Sequence, residues 1–148
     1  MPTEPEPTEH KSTEPEPTEW ESLVPGLAAT AEAMVTPEMT ARRVGSGDVA
    51  VLATPEVVAL VERAAVAAVR DRLSEGQTSV GASVALEHLA PTAVGEKVSA
   101  TARLESSHGR RLEFSFEVRD LAGVVAKGTH GRVVVDRARF EASAKSRR

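Results

Sequence analysis

The chain has 148 residues, 41% hydrophobic and 27% charged, with a net charge of −4 and no cysteine, a composition that suits one globular domain and excludes disulfides, thiolate nucleophiles and Cys-based zinc sites. Its four histidines (His10, His88, His108, His130) lack HExxH-type spacing, so neither a metal nor a cofactor is expected. No apolar run reaches the ~18 residues of a membrane span and no hydrophobic signal segment is present, which predicts a cytoplasmic protein without membrane contact.

Residues 1–21 hold seven of the 22 acids and one of the 18 Lys+Arg, leaving 17 basic against 15 acidic residues, a near balance that gives no nucleic-acid footprint. This first stretch repeats TEPEPTE at residues 3–9 and 13–19. Proline blocks helix and sheet pairing and the glutamates repel one another, so residues 1–23 are predicted to be a solvated, extended tail, closed by Trp20 and Leu23. One domain over residues 24–142 and a frayed basic end over 143–148 are expected to follow.

Residues 24–36, with the Ala-rich run LAATAEAMV, fit either a short helix or a linker turn. Residues 39–44 and 49–52 read as a first strand interrupted at Gly45, Ser46 and Gly47. Residues 54–73 then read as one long helix, with Thr54 as N-cap, Pro55 at N1 and Glu56 at the positive end of the dipole. Glu56, Arg63 and Arg70 form its wet stripe, and Val58, Val61, Ala65, Ala68 and Val69 its apolar side. Glu62 falls inside that apolar side, where a carboxylate must be paired, protonated or turned to a cavity.

Four strands follow. Residues 79–89 alternate, with Val80, Ala82, Val84, Leu86 and His88 on one face and Gly81, Ser83, Ala85 and Glu87 on the other. Residues 97–107 and 111–120 alternate likewise and read as a hairpin about His108, Gly109 and Arg110, and Gly123 turns the chain into a last strand over 124–136. One apolar-faced meander and one long helix imply a sheet that curls around that helix.

The segment 54–62, the strand 81–88 running into His-Leu-Ala-Pro, the VGEKV turn and above all GTHGRVVVD at 128–136 resemble the fluoroacetyl-CoA thioesterase branch of hotdog acyl-CoA thioesterases. The resemblance spans roughly residues 36–142. It implies an α+β hotdog fold, an antiparallel five-stranded sheet wrapped around one long central helix, and hydrolysis of a small or medium acyl-CoA to free acid and CoA. It further implies a catalytic group of Thr54, Glu62 and His88, with Gly81 holding the thioester carbonyl and Arg132 near the acyl-CoA. A homodimer follows too, its active sites between subunits, with the helix acid of one chain facing the strand histidine of the other. The fluoroacetate-specific member carries an aromatic lid before the helix, whereas residues 44–53, VGSGDVAVLA, contain no aromatic residue, so only the thioester class is carried over.

These residue types suit the chemistry. Desolvation favours the protonated form of a carboxylate, which fits Glu62 to the role of base or carboxylate nucleophile, and an imidazole opposite it can orient the acid or pass it a proton. Each also has a plain structural reading: Glu62 in a buried ion pair, Thr54 as an N-cap, His88 as a core histidine, Gly81 as a strand glycine, Arg132 in a surface or dimer-interface ion pair. A non-catalytic acyl-CoA-binding module and an enoyl-CoA hydratase or dehydratase are the alternatives on the same fold.

Overall fold

The Ala-rich stretch that sequence leaves open is the first strand, β1 (Ala28–Met34). Ala29, Ala31 and Ala33 turn inward, half-buried, and Thr30, Glu32 and Met34 face outward. Alanine is a weak strand former, and pairing decides the matter: Ala29 and Ala31 lie opposite Ala102 and Ala100 of a strand some seventy residues away. The computed structural model describes residues 22–147, so the repeated tail and Trp20 lie outside the described residues.

The interrupted strand expected at 39–44 and 49–52 is not formed. Pro37–Met39 is a 3-10 turn, and Ala41–Val44 is a short helix, α1, whose N-cap Thr40 accepts a hydrogen bond from the Arg43 amide. Gly45 ends it at φ 90°, a left-handed conformation that glycine adopts without penalty. Val51 and Leu52 contribute only isolated bridges, to Ala93 and Thr40. With Pro37 fixing φ and Thr40 capping, this stretch turns where two short extended pieces were expected.

The long helix is α2 (Thr54–Val69), continued by a 3-10 turn at Arg70–Arg72. Its buried residues are Val57, Leu60, Val61, Ala64, Ala65 and Val69. The face is rotated from the one expected, because apolar residues run around most of the helix and the sheet selects which of them it covers. Glu62 and its neighbours Val58 and Val66 therefore sit half-buried on the flank.

The sheet contains β1, β2 (Gln77–His88), β3 (Lys97–His108), β4 (Arg111–Asp120) and β5 (Gly123–Asp136), all antiparallel, in the order β1-β3-β4-β5-β2. It curls around α2, the hotdog arrangement that the resemblance implies, and α2 packs chiefly across β1 and β3. Leu60, Val61, Leu104, Leu112 and Phe114 are all at most 1% exposed, and each such side chain contributes about 2 kcal/mol by burial. β2 lies at the far edge of the sheet, where α2 covers it little, and its residues 81–85 are exposed.

Beyond β5 the described residues form one more helix. Arg137–Lys145 forms α3, capped by Asp136, whose carboxylate accepts from the Arg139 amide at 2.9 Å. It buries no residue. No helix among the described residues is long and apolar enough to cross a membrane.

Candidate active site

Two groups of polar side chains face the concave side of the sheet. The first joins the start of α2 to the end of β2. Ala53, with extended φ −74° and ψ 144°, is the N-cap of α2, so Thr54 is already helical and its side chain caps nothing, contrary to the sequence reading. Its Oγ1 instead lies 2.8 Å from Nδ1 of His88. Nε2 of His88 is buried and has no hydrogen-bond partner among the described residues. A buried imidazole nitrogen without a partner is costly and calls for a functional explanation.

The second group gathers around Arg132, on β5. Its guanidinium is 5% exposed, and burial lowers its pKa while the hydrogen bond and charge of Glu62 act in the opposite sense. Nε donates to Ser79 Oγ and Nη2 to the Ser79 carbonyl, each at 2.9 Å. Nη1 donates to Glu62 Oε2 at 3.1 Å and to Nε2 of His130 at 3.2 Å. Arg132 is thus held in an ion pair with Glu62, and four of its five N–H donors are directed at acceptors of its own chain. Glu62 is the exposed end of the pair, with a side chain 40% accessible and Oε1 unbonded among the described residues. Its expected desolvation by Val58, Val61 and Ala65 is replaced by an ion pair at the mouth of a recess of about 260 Å³, lined by Gly81, Ser83 and His130 among others.

Gly81 joins this group through a β-bulge. The register between β2 and β5 shifts between Gly81 and Ser83, leaving Ala82 unpaired. An extra residue flips the parity of everything before it, so Gly81 shares the inner face with Val84, Leu86 and His88, while Val80 and Ala82 do not continue that face as their alternation suggested. The Glu62 carboxylate then occupies the space where a Cβ on Gly81 would stand.

The chain thus joins Thr54 to His88, and Glu62 to Gly81 and Arg132, but does not join the two groups. Gly81 and His88 are seven residues apart on β2, roughly 20 Å at strand rise. Thr54 and Glu62 are eight apart on α2, about 12 Å at helical rise. A further recess of about 610 Å³ is lined by Leu86, Glu87, Phe116, Lys127 and Gly128 among others, and by no residue of either group. The residue that sequence reasoning missed is His130, which is 1% exposed and donates from Nδ1 to the Ser83 carbonyl at 2.8 Å. The available signal was parity, because His130 and Arg132 are two apart on one strand and share a face.

A family model described as fluoroacetyl-CoA-specific thioesterase matches residues 35–138. A fluoroacetyl-CoA thioesterase of Streptantibioticus cattleyicolor is 35% identical over 97 residues, 66% of this chain and 70% of that protein. Among solved structures, the fluoroacetyl-CoA thioesterase FlK superposes with a TM-score of 0.79 at 30% identity, covering 84% of this chain and 97% of its own. A thioesterase superfamily member from Thermus thermophilus superposes with a TM-score of 0.77 at 32% identity, covering 83% and 91%.

Proposed function

Because the chain belongs to the fluoroacetyl-CoA-specific thioesterase family, we propose that it is an acyl-CoA thioesterase whose catalytic group is Thr54, Glu62 and His88. The observation that carries this reading is the Thr54–His88 pair, with the buried Nε2 of His88 left open to a ligand. When the Thr54 hydroxyl donates to Nδ1, the imidazole proton stands on Nε2, and the orphan atom becomes a donor for an oxyanion or a leaving sulfur.

Glu62 supplies the base. Arg132 ties Oε2, and Oε1, without a hydrogen bond among the described residues, is the oxygen that takes a proton from water. Water adds to the thioester carbonyl as its proton passes to Glu62, the C–S bond of the tetrahedral intermediate breaks, and the departing thiolate takes that proton from Glu62, leaving free acid, CoA thiol and the restored carboxylate. Gly81 leaves room for the Glu62 carboxylate against the strand, since any side chain there would displace it, and in this reading the thioester carbonyl lies next to Gly81.

A base and a His-Thr pair separated along one chain work together only if a second copy completes the site. The open, 12-residue edge strand β2 supports a homodimer in which Glu62 of one subunit faces Thr54 and His88 of the other. Residues 45–50, where the fluoroacetate-specific relative of the resemblance has an aromatic lid, are all exposed here and carry no aromatic side chain. That favours a small or medium acyl group other than fluoroacetyl, delivered as a CoA thioester in the cytoplasm.

Free-thiol release from a panel of acyl-CoAs of varied length and polarity tests the reading, with the wild type and Glu62→Ala in parallel. Turnover of at least one member that falls by ~100-fold or more in the variant is the expected result. No turnover from a folded dimer would sink it and leave a non-catalytic binding module.

A further inference from the structure

His130 makes two hydrogen bonds that together determine its protonation. A guanidinium offers only donors, so Nε2 of His130 must accept from Arg132 Nη1, and the ring proton must stand on Nδ1, where it is donated to the Ser83 carbonyl. An imidazolium in this place would set N–H against N–H and one positive charge against another. The ring is further held by Phe114, whose centroid lies 6.2 Å away.

Arg132 in turn has one side anchored on Ser79, through Nε and Nη2, and the other shared between His130 and Glu62, both through Nη1. Without His130 one Nη1 hydrogen has no partner and the guanidinium is free to turn towards either carboxylate oxygen. With it, the remaining hydrogen is directed at Oε2 of Glu62.

We propose that His130 is a positioning residue for thioester hydrolysis: as a neutral Nδ1–H imidazole it locks the Arg132 guanidinium, so that Glu62 is held by Oε2 and presents Oε1. The chain of control runs from the carbonyl of Ser83, just past the bulge, through His130 and Arg132 to the carboxylate. It rests on the assignment of Glu62 as the base.

The test has one arm that depends on activity and one that does not. In the first, His130→Gln, which can both donate to Ser83 and accept from Arg132, keeps kcat within about threefold, whereas His130→Leu lowers kcat by at least ~10-fold with KM within about twofold. In the Glu62→Ala background, His130→Leu causes no further loss. A kcat unchanged in His130→Leu, or a loss that multiplies with that of Glu62→Ala, overturns the proposal. In the second arm, imidazole ¹⁵N shifts of the wild type, at the pH of the kinetic assay, report protonated Nδ1 and bare Nε2. The opposite tautomer, or an imidazolium, overturns the proposal without any variant. A wild type that releases no thiol while showing the expected tautomer refutes the thioesterase reading instead, and positioning for hydrolysis with it.

Discussion

Glu62 and Gly81 occupy complementary space: the carboxylate of the helix residue fills the volume that a side chain on the strand residue would need. Neither position is explained by its own element. Glycine weakens a strand and glutamate is misplaced on a largely apolar helix, yet together they present a charged oxygen against bare backbone at the sheet edge.

Gly81→Ala follows directly. Gly81 has no positive φ, so the methyl group strains no backbone and acts by displacing Glu62. A fall in kcat of about 10- to 100-fold, with an unfolding midpoint near that of the wild type, is expected from kinetics and thermal melts. An Ala variant with full activity would show that Glu62 need not occupy this place.

Mixed dimers test where the site is assembled. Glu62→Ala and His88→Ala should each be inactive alone. If each site takes Glu62 from one subunit and His88 from the other, a heterodimer retains one intact site, and mixing equal amounts after unfolding and refolding restores about one quarter of wild-type activity. Sites built within single chains would restore none.

Thr54 separates capping from chemistry. Since Ala53 is the N-cap and the Thr54 hydroxyl bonds His88, Thr54→Ala should cost less than the ~1 kcal/mol of a lost cap while reducing kcat by at least ~10-fold. Thr54→Ser keeps the hydroxyl and should retain most of the activity. Urea unfolding beside steady-state kinetics reads both quantities.

Arg132→Met removes a buried cation whose hydrogen bonds satisfy Ser79, His130 and Glu62. Leaving buried acceptors unpaired costs about 1–3 kcal/mol, so the urea midpoint should fall, and kcat should fall with it as Glu62 loses its anchor. If Arg132 instead met the CoA phosphates, KM would rise and kcat would be spared.

What the sequence by itself determined is what neighbours along the chain encode. The existence of the helix α2 and the two-residue alternation of β3 and β4 are local patterns, and the structure carries them where they were expected, although the buried face of α2 is rotated. The motif around residues 128–136 likewise pointed to the family. Tertiary structure alone decided the rest, because those choices are made by partners distant in the chain. Pairing with β3 turns an alanine run into β1. A single unpaired residue, Ala82, carries Gly81 to the inner face, a change that periodicity cannot register because a bulge breaks the period itself. Glu62 finds Arg132 seventy residues later, and Arg132 finds His130, so the identity of a carboxylate's partner was fixed by sheet register rather than by any spacing within α2.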